Sequence, residues 1–155
     1  MFLYHFSDLE LSVNANFPVG NFAKTVAQNP IAQKFEEEME NIRRNYTPTK
    51  PSRLNCIFAF DNATAEGFKT NRKFLYELDI PETLHPSIHN YEVGSFFSEL
   101  LLKNNIQLIL SEVTLMEDYW TCPDLYINSN GQILKFVKEY LIPVPVRINR
   151  VINWN

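Results

Sequence analysis

The 155-residue sequence predicts a single α+β domain over residues 1–155, built on an antiparallel or mixed sheet, and three observations lead there. Runs of β-prone residues alternate with runs of helical periodicity, so the strands are dispersed along the chain rather than grouped. No internal repeat, low-complexity block or linker divides it. An apolar share of 45% beside 21% charged residues supports one well-buried core, and 12 Phe, 7 Tyr and 2 Trp imply that rings line that core or a pocket.

Residues 2–6, Phe-Leu-Tyr-His-Phe, form a β-prone run that places His5 in a first strand, with Ser7-Asp8 as the turn behind it. The Asn-rich stretch that follows, broken by Pro18, Gly20 and Pro30, reads as a long irregular connection. From Pro30 onward Ile31, Phe35, Met39, Ile42 and Tyr46 recur every three to four residues while Glu36, Glu37, Glu38 and Glu40 fill the other face, which predicts a helix. Thr47-Pro48-Thr49-Lys50-Pro51 ends it, because proline lacks a donor and biases its predecessor away from helix. Ser52 to Phe60 predicts a central strand, and Asn62 caps a helix running to Lys73. Phe74 to Ile80 alternates as a half-buried strand does, and Pro81 closes it. Ser95 caps a helix with Phe96, Phe97, Leu100 and Leu101 inward, and a second helix near Ile109–Trp120 carries Val113, Met116 and Trp120 on one stripe. A turn at Asn128-Ser129-Asn130-Gly131 precedes an apolar run from Ile133 to Val137. In the tail Val144, Val146 and Ile148 alternate with Pro145 and Arg147, which predicts an edge or near-edge strand.

A net charge of -4 argues against a protein that binds by coating a phosphate backbone, though it leaves room for a local basic groove. Cys56 and Cys122 have no metal-type spacing and are too few for a disulfide scaffold, so they read as free thiols in a reducing, cytoplasmic compartment. No basic, apolar leader opens the sequence and no run approaches the ~18 apolar residues of a membrane span, so no membrane partner is expected. Phosphate-binding and dinucleotide glycine motifs, HExxH and GxSxG are absent. His85 and His89 stand four apart, but Pro86 between them opposes a helical metal pair, and no metal is expected.

Three polar groups at strand starts and ends stand out: His5, Ser52-Arg53 and Glu139. Singly, each has an ordinary structural reading. His5 suits a satisfied core histidine, Arg53 a partner for one of Glu36 to Glu40, and Glu139 a solvated strand residue. Their order along the chain is more informative. Tyr4-His5-Phe6-Ser7 comes first, then Pro51-Ser52-Arg53-Leu54 to Ala59 behind the Glu-rich, Arg-ended helical segment Phe35 to Arg44. Tyr76-Glu77-Leu78-Asp79-Ile80, the Tyr119-Trp120 pair and Glu139-Tyr140-Leu141-Ile142-Pro143 follow. This succession resembles the three-part signature of the ADP-ribosyltransferase fold, particularly small bacterial and phage mono-ADP-ribosyltransferases of toxin or phage-conflict type.

The resemblance implies split antiparallel or mixed β-sheets flanked by helices, and cleavage of the nicotinamide–ribose bond of NAD+ with transfer of ADP-ribose to a macromolecular acceptor, protein or nucleic acid. It assigns Glu139 as the catalytic carboxylate. His5, Ser52, Arg53 and one of Phe58 or Phe60 would bind NAD+: His5 at a ribose hydroxyl, Arg53 at the pyrophosphate or adenosine side, and a phenylalanine ring against nicotinamide. An antitoxin or inhibitor protein is a further implied partner. Two features depart from the family pattern: phenylalanines replace the second motif's frequent tyrosine, and the loop after the first strand is Asn-rich rather than Gly-rich. The competing expectations are an NAD+ glycohydrolase and a non-catalytic module of the same fold that binds a protein through a Phe-rich patch.

Overall fold

The computed structural model describes residues 1–68 and 70–153. The chain opens with β1 (Phe2–Ser7), and the connection behind it holds a two-residue strand, β2 (Asn16–Phe17), and a short helix, α1 (Asn21–Val26). That segment was expected to be irregular, and its elements are too short to leave a periodic pattern. Next comes α2 (Pro30–Tyr46), matching the expected helix. Asn29 caps it by accepting from the amides of Ile31 and Ala32, and Pro30 sits at the helix start, where a missing donor is harmless.

The run expected to be one strand from Ser52 to Phe60 is instead a 3₁₀ turn, Arg53–Asn55, followed by a three-residue strand, β3 (Ile57–Ala59). Asp61, not Asn62, caps α3 (Asn62–Gly67) by accepting from the Thr64 amide. That helix ends before Lys73, and Lys69 of the expected span lies outside the described residues. β4 (Phe74–Asp79) follows, and then β5 (Ser87–Asn90), for which no expectation stood. α4 (Tyr91–Leu102) begins four residues before Ser95, because Asn90 is the cap. The expected Ile109–Trp120 helix is two helices, α5 (Ile106–Leu110) and α6 (Val113–Thr121), with Val113 exposed and Leu115, Met116, Tyr119 and Trp120 buried. A small hairpin, β6 (Tyr126–Ile127) with β7 (Ile133–Leu134), leads to β8 (Lys138–Ile142) and β9 (Val146–Asn153).

All named strand pairs are antiparallel. One sheet has the order β1-β4-β9-β2 and a second the order β3-β8-β5. β3 is therefore an edge strand of its sheet, and β8 is central. β9 lies inside its sheet but is covered on its outer side only from Val146 to Ile148, where β2 pairs with it and Asn14 and Ala15 hydrogen-bond Ile148, so the near-edge expectation fits its remaining length. Pro143 and Pro145 precede β9 and remove no donor from it.

The sheets stack through Leu3, Phe17, Tyr76, Leu78 and Ile148 on one side and Ile57, Ala59 and Ile142 on the other. The other face of the three-stranded sheet carries α2, α4 and α6 through Phe35, Met39, Phe97, Met116, Trp120 and Leu141. A single antiparallel bridge joins the sheets, Tyr4 and Phe60 exchanging both backbone hydrogen bonds at 2.8 Å. Beyond this pair β1 and β3 part, and a cleft opens at the parting.

Candidate active site

Where two strands separate, the carbonyl that would have met the next ladder partner needs another donor. At the parting this group is the Phe58 carbonyl, and the His5 imidazole supplies the donor at 2.6 Å from Nδ1. Burial pushes the His5 ring down to about 4, against the raising effect of that hydrogen bond, so the ring is neutral at pH 7. A carbonyl only accepts, which fixes the proton on Nδ1 and leaves Nε2 as a bare acceptor. Among the described residues Nε2 has no protein partner, and His5 lines the cleft.

The cleft measures about 340 Å³, within the usual range for small-molecule sites. Of the residues singled out from sequence, His5, Arg53, Phe58, Phe60 and Glu139 all line it. Ser52 does not; its hydroxyl engages the Glu40 carboxylate instead. Phe58 and Phe60 are two apart on the edge strand and its continuation, so both rings face the cleft and the choice between them dissolves.

Arg53 is only 7% exposed. Its Nε and Nη2 each donate to Glu36, both at 3.2 Å, as the ordinary pairing predicts. Three rings surround the guanidinium, with Tyr119 4.6 Å, Phe58 5.3 Å and Phe22 5.4 Å from it to their centroids. Burial works against the charge, but Glu36, then Tyr119 and Glu139, hold Arg53 above the ordinary arginine range. The two-pronged edge of the guanidinium is thus occupied by the Glu36 carboxylate. Only Nη1 has no protein acceptor among the described residues, and it lies 4.0 Å from where a β-carbon on the cleft residue Gly94 would sit.

Glu139 sits on the central strand β8 opposite His89 of β5 and is 5% exposed. The Tyr119 hydroxyl donates to its Oε2 at 2.9 Å, while Oε1 has no protein hydrogen bond among the described residues. Burial raises its pKa; Arg53 and the tyrosine bond pull downward, Glu36 adds to the rise, and the result lies above the ordinary carboxylate range. Glu36 is raised in the same way, first by burial. Two buried carboxyl groups thus lie in the field of one guanidinium, which is hydrogen-bonded to Glu36 and reaches Glu139 only through its charge.

Several lining residues had no forecast. Tyr91, the first residue of α4, lines the cleft, hydrogen-bonds Ser95 through its hydroxyl, and packs edge-on against Phe60 at 5.3 Å and Phe68 at 4.8 Å. A tyrosine hydroxyl is thus present after all, from a helix start rather than the second motif. Its sequence signal was Asn90 as a cap, which places residue 91 in the first helical turn.

No known family model matches the chain, and no curated protein sequence does. Among the described residues no group of three or more His, Cys, Asp and Glu side chains converges to hold a metal ion, and no helix is long and apolar enough to cross a membrane. His89 is instead a structural group: Nδ1–H donates to the Tyr119 carbonyl at 2.8 Å, Nε2 accepts from Ser87 at 2.8 Å, and the ring stacks on Tyr119 at 4.6 Å. Burial pushes it down to about 3 from an unperturbed 6.5. The unfolded chain protonates this ring as pH falls through 6.5 and the native one does not, so its contribution to stability is lost between pH 6.5 and 3. His89→Gln should remove that loss: in urea melts from pH 6.5 to 4, wild type should lose up to ~1.4 kcal/mol per pH unit more than the variant. Parallel profiles would contradict a neutral buried His89.

Proposed function

We propose that the protein cleaves the nicotinamide–ribose bond of NAD+ and transfers ADP-ribose to a macromolecular acceptor. The observation that carries this reading is the convergence of His5, Glu139 and a set of aromatic walls on one cleft, from segments far apart in the chain. As the bond from C1′ to nicotinamide breaks, its electron pair leaves with neutral nicotinamide and positive charge grows on the ribose. Negative charge on Glu139 stabilises that growing cation through fixed electrostatics, with no covalent bond to the enzyme. Oε1 accepts from a ribose hydroxyl, and Tyr119 holds the carboxylate through Oε2. His5 Nε2 accepts from a second hydroxyl, and Phe58, Phe60 and Tyr91 supply ring faces and edges for nicotinamide. The acceptor's nucleophile bonds to C1′ as nicotinamide departs, and its proton passes to solvent.

The test is to incubate the purified protein with NAD+ and a cell lysate, then measure released nicotinamide and ADP-ribose in the protein, RNA and DNA fractions. Nicotinamide release with label in one fraction is the expected result. Release without label would make the protein a glycohydrolase. No release, together with a melting temperature indifferent to NAD+, would overturn the reading in favour of a non-catalytic module.

A further inference from the structure

A second hollow of about 430 Å³ adjoins the Glu139 cleft. The two lobes share His5, Phe6, Phe22, Phe58 and Arg72, so these residues form a waist between them. Among the described residues Arg72 is the only cation at the waist, and its charge reaches the cleft far enough to disfavour protonation of His5. Arg53, deeper in the first lobe, faces Glu36 and Glu139 and has no surplus positive charge for an anion. The outer lobe is lined by Phe17, Asn21 and Thr25, a ring beside small polar groups.

Arg72 is held by a displaceable partner. Its Nη1 donates to Asp8 Oδ2 at 2.5 Å, and both side chains of this pair are about half exposed. An exposed ion pair contributes little net stability, so a better anion can displace the carboxylate at small cost. Asp8 also accepts from the Lys73 amide through Oδ1 at 3.1 Å, which ties the end of β1 to the start of β4 independently of the arginine.

We propose that the two lobes form one site for a pyrophosphate-bridged dinucleotide, with one ring-bearing half in each lobe and the pyrophosphate at the waist against Arg72, which leaves Asp8 to meet it. The proposal rests on the NAD+ reading for the identity of the reacting half, which lies in the Glu139 lobe. Asp8 competes with the ligand for Arg72 and thereby sets its affinity. A bridging pyrophosphate takes charge-assisted hydrogen bonds from a guanidinium, and a nucleoside lacking phosphate takes none.

Calorimetric titration tests this with three probes: carba-NAD+, in which a methylene replaces the nicotinamide-ribose ring oxygen so the bond does not break, diadenosine diphosphate, and adenosine. Arg72→Gln should weaken the first two about tenfold or more, flatten their salt dependence and leave adenosine within about twofold. Asp8→Asn keeps an acceptor for the Lys73 amide and should tighten the first two several-fold. Both positions are exposed, and unchanged melting temperatures would show both variants folded. Wild-type affinity for carba-NAD+ retained in Arg72→Gln overturns the waist assignment and leaves the NAD+ reading standing. Arg72-dependent binding of diadenosine diphosphate without binding of carba-NAD+ upholds the two-lobed site and removes the NAD+ reading. Failure to bind either dinucleotide overturns both.

Discussion

Glu139→Gln should lower nicotinamide release by about two to three orders of magnitude, the scale of losing one preorganised electrostatic group at a reacting centre. Binding of carba-NAD+ should change little, because the amide still accepts a ribose hydroxyl while the charge that acts on the developing cation is gone. The same substitution should raise the melting temperature at pH 7. Native Glu139 titrates above its unfolded value, so the native chain binds the proton more tightly and stability declines as pH rises from 4.5 through the native pKa. Glutamine removes that decline, keeps an acceptor for the Tyr119 hydroxyl, and leaves Glu36 and Arg53 as a neutral pair. The stability gap between variant and wild type should therefore shrink as pH falls toward 4.5. An inactive but more stable variant is the pattern expected when a charge is kept in place for chemistry rather than for folding. Undiminished release from Glu139→Gln would remove the carboxylate from the mechanism. Lower stability at pH 7 would show that its ion pairing outweighs its burial.

Local patterning and long-range convergence were not equally legible in the sequence. The Pro30–Tyr46 helix was readable because its apolar stripe and its proline ends are local. β5 was not readable: Ser87–Asn90 has no apolar alternation, and its buried members are His89 and Asn90, whose polar atoms are satisfied by Tyr119, Ser87, Lys135 and Val137. No periodicity signals a strand held that way. The break between α5 and α6 was hidden because Glu112, a residue of ordinary helix propensity, turns back to accept from the backbone and hydroxyl of Ser129. Within the cleft, His5 and Glu139 were visible as polar groups embedded in strand-forming runs. Arg72 and Tyr91 were not, since each looks like an ordinary loop or helix residue until tertiary structure brings it to the waist or the wall, and Tyr119, though part of the recognised succession, gave no sign that it would hold the carboxylate. The depth of the Arg53 pair was hidden for a related reason, because Glu36 looked from sequence like one of several solvent-facing acids on the far side of a helix, whereas both partners are buried.

Arg53→Met should destabilise the fold by about 3–5 kcal/mol at neutral pH, the range for removing one member of a buried ionic group. Methionine can fill space among Phe22, Phe58 and Tyr119, so little of the loss is cavity. The larger part is electrostatic: Glu36 and Glu139 remain buried with no cation to offset them, and each then favours its neutral form more strongly than in wild type. Carboxyl groups whose native pKa is raised lose stability as pH climbs above their unfolded value, so the deficit of Arg53→Met should be smallest near pH 4.5 and grow toward pH 7.5. Adding Glu36→Gln to the variant should recover about half of the neutral-pH deficit, because one of two orphaned charges is gone. Separately, Glu36→Gln in an Arg53 background should have a small effect, since Glu139 still balances the guanidinium. Urea melts of the four proteins at pH 5 and 7.5 close a double-mutant cycle whose coupling reports the pair and not the packing. A deficit that is the same at both pH values, with no recovery from Glu36→Gln, would mean that Arg53 matters for shape and that the shared-guanidinium account of this cleft is wrong.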